Sequence, residues 1–103
     1  MAYRLLVTGE AENDLDAILA YIVYELCNMQ AAKELADKID AHYGLLAENP
    51  KLYAECREPL LQRQHYRKVT LGGYIMIYRE DDATNTVYVE RFFSNLQDYA
   101  NRL

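Results

Sequence analysis

The first half of the chain carries apolar residues at the spacing of two amphipathic helices. The first run covers residues 10–27 and contains Ala11, Leu15, Ile18, Ile22 and Leu26. The second run begins after Asn28, a favourable N-cap residue, and continues to Asn49 and Pro50. Because the join between the two runs is short, the pattern predicts an antiparallel helical hairpin.

Four further segments alternate apolar and polar residues with the period of a strand, and they cover residues 3–8, 66–71, 74–79 and 86–93. Gly72 and Gly73 separate two of them, which predicts a tight primed turn with positive φ at both glycines. Residues 50–64 show no clear period, so we expect an irregular connection there. The order β-α-α-β-β-β predicts one α+β domain, residues 1–103, with the hairpin on one face of a small antiparallel sheet.

The other face of this sheet is expected to stay open to solvent or to a partner, as an apolar groove that the helices do not cover. Alternation alone does not say which face that is, because both are partly apolar. It does predict that four residues of the last strand share one face, namely Val87, Val89, Arg91 and Phe93.

Basic and tyrosine side chains gather on the predicted strands. The basic residues are Arg67, Lys68, Arg79 and Arg91. One interpretation is a concave surface that contacts phosphates and stacks on bases. The other is that tyrosines pack well in strands and that the basic groups pair with Glu80, Asp81 or Glu90. His65 precedes the first of these basic residues and is a further candidate for binding.

The overall charge argues against a general attraction to nucleic acid. The 103 residues include 16 acidic and 11 basic side chains, which gives a net charge of −5. Cys27 and Cys56 have no metal-like spacing, so we expect free thiols and a reducing cytoplasm. No apolar run approaches the roughly 18 residues of a membrane span, so no membrane contact is expected.

Several short stretches, taken in their order and spacing, carry a family resemblance. They are Thr8 to Leu15, Ile18 to Ile22, Asn28 with Ala31 and Ala32, Tyr66 to Val69, Gly73 to Tyr78, and Val87 to Phe93 with Asp98 and Tyr99. The chain in this respect resembles the RelE/ParE superfamily of toxins from bacterial type II toxin-antitoxin modules, which also act in plasmid stabilisation. The resemblance covers nearly the whole chain and implies the same β-α-α-β-β-β fold.

The resemblance also implies a toxin that a cognate antitoxin neutralises in a hetero-oligomer, by wrapping the sheet and the helical hairpin. In the superfamily, the RelE-like branch cleaves mRNA on the ribosome and the ParE-like branch inhibits DNA gyrase. For a RelE-like nuclease, the implied catalytic set is Arg67, Arg91 and Tyr99, working without metal or cofactor. His65, Lys68 and Arg79 would then belong to the binding surface around that set.

The chain departs from the RelE-like pattern at several positions. Val69 and Ile75 stand where relatives usually carry basic residues, and Ser94, Asn95 and Leu96 replace basic or histidine residues after the last strand. Phosphoryl transfer depends on cations aimed at the developing charge. The sequence therefore favours gyrase inhibition, with a ribosome-dependent mRNA endonuclease or a degenerate, non-toxic antitoxin-binding protein as the alternatives.

Overall fold

The computed structural model describes residues 2–57 and 64–94. Along the chain the elements are β1 (Arg4–Val7), α1 (Gly9–Ala20), a π-helical turn (Tyr21–Glu25), α2 (Met29–Glu48), β2 (Arg67–Leu71), β3 (Tyr74–Asp81) and β4 (Thr86–Ser94). The predicted α+β class, the element order and the helical hairpin are confirmed. The first helical run is continuous from Gly9 but ends in the π-helical turn, two residues earlier than the pattern indicated.

Side chains outside the helices fix where each helix begins. The Thr8 hydroxyl accepts a hydrogen bond from the Ala11 N–H at 3.1 Å and caps α1. The Asn28 side-chain oxygen accepts from the Ala31 N–H at 3.0 Å and caps α2. Both contacts satisfy a backbone donor that the first helical turn leaves without a partner. The predicted cap at Asn28 is confirmed.

The four strands form one mixed sheet in the order β1-β4-β3-β2. β2 with β3 and β3 with β4 pair antiparallel, as predicted, but β1 lies parallel to β4, with Leu5 beside Val87. The sheet is therefore not antiparallel throughout. β1 and β4 meet only after the whole helical hairpin has intervened, and alternation within a strand carries no information on the direction of such a distant neighbour.

A β-bulge in β4 changes which side chains share a face. Ile77 pairs with Arg91, but the next residue, Tyr78, pairs with Val89, so Glu90 is an extra residue. Val89 consequently lies on the helix side of the sheet, whereas Arg91 lies on the opposite side. The prediction of one common face for Val87, Val89, Arg91 and Phe93 is wrong, because it assumed an uninterrupted alternation.

The turn between β2 and β3 is tight, as predicted, with Leu71 paired to Tyr74. Of its two glycines only Gly72 has a positive φ, at 63°. The expectation of positive φ at both glycines is wrong, since one of the two primed hairpin turns needs it only at the first central residue.

The main core lies between the helices and the sheet. Its buried members come from every helix and from β2, β3 and β4, and they include Ala11, Ile22, Leu35, Ile39, Leu46, Val69, Met76, Tyr78, Val87 and Phe92. The Tyr78 hydroxyl donates to the Pro50 carbonyl at 2.8 Å, which fastens the end of α2 to the sheet. Burial raises the pKa of Tyr78 to about 12, so this hydroxyl keeps its donor proton.

A second, smaller core lies on the opposite side of the sheet. It consists of Cys56, Ile75, Ile77 and Phe93, of which the last three are exposed by only 6%, 0% and 2%. The segment with Cys56 is tied to the start of β2, since the Cys56 N–H donates to the Tyr66 carbonyl at 2.8 Å. The expected bare apolar groove is therefore wrong, because these side chains are already out of contact with water.

Neither helix in the described part of the chain has both the length and the hydropathy that a membrane span needs.

Candidate functional site

The face of the sheet opposite the helices carries three of the four cations that the sequence analysis singled out. We call it the outer face. Strand pairing places Lys68 beside Ile77 and Ile77 beside Arg91. Arg79, two residues after Ile77 on the same strand, is paired with Tyr88. Directly paired residues on neighbouring strands point to the same side of a sheet. Lys68, Arg79 and Arg91 are therefore brought together above the small outer core.

Arg79 lies at the centre of an aromatic group on this face. Its guanidinium carbon is 4.4 Å from the centre of the Tyr88 ring, which is a cation–π distance. Its Nε is 3.8 Å from Glu90 Oε1. Burial raises the pKa of the neighbouring Tyr66 hydroxyl, and the negative charge of Glu90 raises that pKa further. The four side chains offer a partner two tyrosine hydroxyls and a cation that is only weakly paired with Glu90.

Arg91 is held by carboxylates of α1. Its Nε donates to Asp14 Oδ2 at 2.6 Å, its Nη2 donates to Asp14 Oδ1 at 3.1 Å, and its Nη1 is 3.3 Å from Glu10 Oε2. The guanidinium also lies 4.8 Å from the centre of the Phe93 ring. The bidentate bond to Asp14 raises the pKa of Arg91 above its ordinary value.

Asp14 also makes a hydrogen bond with the backbone at the edge of the sheet. Its Oδ2 also accepts a hydrogen bond from the Phe92 N–H at 3.1 Å. β1 ends at Val7, which pairs with Val89, so β4 continues past the end of its neighbour. Asp14 therefore satisfies a backbone donor that β1 does not reach, and joins α1 to the outer face.

Arg67 lies on the helix side of the sheet, away from the other three cations. Its Nε and Nη2 donate to the two oxygens of Glu80 at 2.9 and 3.0 Å, and its Nη1 donates to the Tyr53 carbonyl at 2.7 Å. The two side chains are only 12% and 10% exposed. Although burial alone would raise it, the pKa of Glu80 is lowered by the hydrogen bonds from Arg67. The structure thus gives each of the three nitrogens of the Arg67 guanidinium a hydrogen-bond acceptor within the chain.

The two remaining candidates have different standing. His65 is exposed just before β2, has a positive φ of 60°, and places Nδ1 3.3 Å from Glu55 Oε2. Tyr99 lies outside the described residues. The catalytic roles of Arg67, Arg91 and Tyr99 stay predictions, as do the binding roles of His65, Lys68 and Arg79.

Sequence reasoning missed the two carboxylates that hold Arg91. The pairing of basic groups with Glu80 and Glu90 is among its expectations, and both pairs are present. The spacing of Glu10 and Asp14, four residues apart, places them on one side of α1, and that acidic stripe was the available signal. Among residues 2–57 and 64–94, no three His, Cys, Asp or Glu side chains are grouped so that they could hold a metal ion.

Comparisons with known proteins agree with this architecture. A chain of the RelBE2 toxin-antitoxin complex structure from Mycobacterium tuberculosis superposes with a TM-score of 0.63 and 22% identity, over 92% of this chain and 100% of that one. A chain of the chromosomal ParDE system from P. aeruginosa superposes with a TM-score of 0.68 and 21% identity, over 90% and 96%. At these identities the likeness concerns the fold.

Comparison with curated protein sequences gave no match. The sequence profile of one family, described as the ParE toxin of the type II toxin-antitoxin system parDE, matches residues 5–99. This match covers most of β1, the whole helical hairpin, and the strands β2, β3 and β4. The chain therefore belongs to the ParE family of type II toxins.

Proposed function

We propose that this toxin arrests growth by binding DNA gyrase in the cytoplasm, and that a cognate antitoxin neutralises it in a hetero-oligomer. The observation that carries the proposal is that the cations that a nuclease would use are paired with carboxylates of the same chain. Arg67 is paired with Glu80, and Arg91 is paired with Asp14 and Glu10. In this proposal the outer face around Arg79 and Tyr88 is a protein-binding surface.

The chemistry of RNA cleavage explains why this observation matters. A metal-free nuclease stabilises its transition state with cations directed at the transferring phosphoryl group, and each such group contributes a factor of about 10² or more to the rate. A guanidinium that already donates to a carboxylate through two nitrogens would have to break those bonds first. The net charge of −5 also opposes an approach to ribosomal RNA.

A protein target places fewer demands on free charge. Aromatic side chains and arginine dominate the centres of protein interfaces, where they supply contact area and directional hydrogen bonds. The group formed by Tyr66, Arg79 and Tyr88 matches that composition. The support for an antitoxin partner is that the two solved structures compared above, which are similar to this chain, come from toxin-antitoxin systems.

The direct test is a supercoiling assay with purified gyrase and the purified full chain. We expect the wild-type chain to block supercoiling and the Arg79→Glu variant to require at least tenfold more protein for the same block. Lys33→Glu makes the same charge change at an exposed site on α2 and should behave as wild type. Adding the protein encoded by the neighbouring reading frame should restore supercoiling.

Two other results would overturn the proposal in different ways. Cleavage of transcripts on translating ribosomes, together with unimpaired supercoiling, would establish the mRNA endonuclease. Undiminished colony counts after induction without the antitoxin, with neither biochemical activity, would establish a degenerate antitoxin-binding protein.

A further inference from the structure

The loop end of the helical hairpin exposes an unusual amount of apolar surface. We call residues 17–32 the hairpin tip; they comprise the end of α1, the π-helical turn, the connecting loop and the first turn of α2. Four large apolar side chains of the tip are exposed: Tyr24 by 78%, Met29 by 75%, Leu26 by 54% and Tyr21 by 52%. They lie within nine positions of the chain, and large exposed apolar areas on soluble proteins often mark a site of protein contact.

The backbone of the tip is held in one defined shape. The Leu26 N–H donates to the Tyr21 carbonyl at 3.1 Å, and the Asn28 N–H donates to the Ile22 carbonyl at 3.0 Å. Cys27 between them has a positive φ of 50°, a conformation that costs energy for a residue other than glycine. π-helical turns of this kind are frequent at functional positions. The exposed side chains are therefore presented on a preformed surface, which lowers the entropy cost of binding.

The charge distribution limits where two copies of this chain can meet. Glu25 is the only charged side chain among residues 17–32. The rest of the two helices is strongly acidic, with Glu10, Glu12, Asp14, Asp16, Glu34, Asp37, Asp40 and Glu48 set against Lys33 and Lys38. A second copy of this chain brings the same acidic flanks and would be repelled along them. The nearly uncharged tip is where two copies can approach without that repulsion.

The available area is also suited to self-association. A tyrosine presents about 150–250 Å² when fully exposed, so the four partly exposed side chains together offer on the order of 500 Å². Two copies joined tip to tip would bury about 1,000 Å², which is the lower limit for a specific interface. We propose that the hairpin tip is a self-association surface, through which two copies of the toxin pair about a two-fold axis. The pairing goes beyond gyrase inhibition and does not depend on it.

Sedimentation velocity of the purified full chain, over a range of concentrations, tests the proposal. We expect a reversible monomer–dimer equilibrium with a dissociation constant on the order of tens of micromolar, as suits a small interface. Tyr24→Lys should weaken it at least tenfold, because the two-fold axis brings the two introduced charges together. Leu45→Lys is the matched control, since Leu45 is 50% exposed but lies about 24 Å along α2 from Met29.

A charge-swap experiment tests whether the two tips face each other across the two-fold axis. Tyr24→Glu alone should also be monomeric, but an equimolar mixture of Tyr24→Lys and Tyr24→Glu should form a mixed dimer. Circular dichroism melting of each variant confirms folding, which these exposed positions should leave unchanged. Failure of the mixture to dimerise, with both variants folded, would overturn the two-fold arrangement.

Cys27 provides an independent readout. It is exposed in the tip, whereas Cys56 is buried, so a short bis-maleimide reaches one thiol per chain. We expect a covalent dimer with wild type, none with Cys27→Ser, and much less with Tyr24→Lys. A chain that stays monomeric at all concentrations, or a dimer that only Leu45→Lys disrupts, would contradict the proposal. Tip variants that leave self-association intact but weaken antitoxin binding would assign the tip to the antitoxin instead.

Discussion

Arg67 and Arg91 make the same bidentate contact with a carboxylate in two different parts of the molecule. Arg67 binds Glu80 of the neighbouring strand on the helix side of the sheet, where the side chains are 12% and 10% exposed. Arg91 binds Asp14 of a helix at the edge of the outer face, with exposures of 21% and 19%. The first pair therefore links two strands within one layer, whereas the second links the two layers.

The difference teaches that an arginine on a strand does not by its presence indicate a reactive site. The Arg67 guanidinium also donates to the Tyr53 carbonyl, so it holds the irregular connection after α2 against the sheet. The Arg91 pair fixes α1 against β4 and lies next to the candidate binding surface. We expect loss of the first pair to affect mainly stability, and loss of the second to affect stability and function together.

The largest effect is expected for Glu80→Gln. This change leaves the Arg67 cation in a nearly buried site without a counter-charge, so the free energy of unfolding should fall by about 3 kcal/mol. Urea denaturation followed by circular dichroism measures the loss. Glu90→Gln is the control. Glu90 makes a long contact of 3.8 Å with the more exposed Arg79, so this substitution should lower the free energy of unfolding by less than about 1 kcal/mol. Equal losses for the two variants would contradict the distinction.

A smaller effect is expected for Asp14→Asn, at about 1.5 kcal/mol. The amide keeps an oxygen that can accept from the Phe92 N–H, but it loses the charge that holds Arg91. Hydrogen exchange of the Phe92 amide should accelerate as α1 loosens from β4. Asp16→Asn changes an exposed residue of the same helix and should alter neither the free energy of unfolding nor the exchange rate of the Phe92 amide. If the Phe92 amide also exchanged faster in the Asp16→Asn variant, the cause would be a general loss of helicity.

The dependence of stability on pH should sharpen the same comparison. The folded-state pKa of Glu80 is lowered from its ordinary value of 4.5. As the pH falls, the Glu80 carboxylate is therefore protonated in the unfolded chain before it is protonated in the folded chain. The contribution of Glu80 is complete above pH 4.5 and is lost as the pH falls through the lower, folded-state pKa. Urea midpoints between about pH 6 and 3 should show this fall in wild type and a shallower one in Glu80→Gln. Identical slopes for the two proteins would mean that Arg67 does not stabilise the ionised Glu80 carboxylate in the folded state.

The smallest effect on stability is expected for Arg79→Gln, less than about 0.5 kcal/mol, because the side chain is 36% exposed and weakly paired. The same variant should clearly reduce inhibition of supercoiling if the outer face contacts gyrase. Thermal unfolding and the supercoiling assay together test this separation. A variant as destabilised as Asp14→Asn would place Arg79 among the structural arginines.

The sequence was sufficient for those features that depend on neighbouring residues. Helical periodicity, the Asn28 cap and the turn at Gly72 are local, and each was found where it was predicted. The parallel pairing of β1 with β4 was not predictable in this way, since its residues lie far apart in the chain, as Leu5 and Val87 do. The bulge at Glu90 was also missed, because a single extra residue in a strand leaves no trace in composition.

In the candidate site, too, features that depend on neighbouring residues were predicted and features that depend on residues far apart in the chain were not. Alternation alone grouped Arg91 with Val87, which is a core residue, and only the bulge turns Arg91 to the outer face beside Lys68 and Arg79. Alternation put Arg67 and Lys68 on opposite faces of their strand, and the structure agrees, but the interpretation as one basic surface combined Arg67 with the other three. The carboxylate that holds Arg91 comes from a helix 77 positions earlier in the chain.

The parallel pairing of the first strand with the last described one has a consequence for synthesis. As the polypeptide leaves the ribosome, β1 emerges early, but its hydrogen-bonding neighbour begins only at Thr86. At about 5–20 residues per second, that interval lasts several seconds. The nascent chain cannot complete its sheet during this time, so the folded toxin forms only after β4 has left the ribosome.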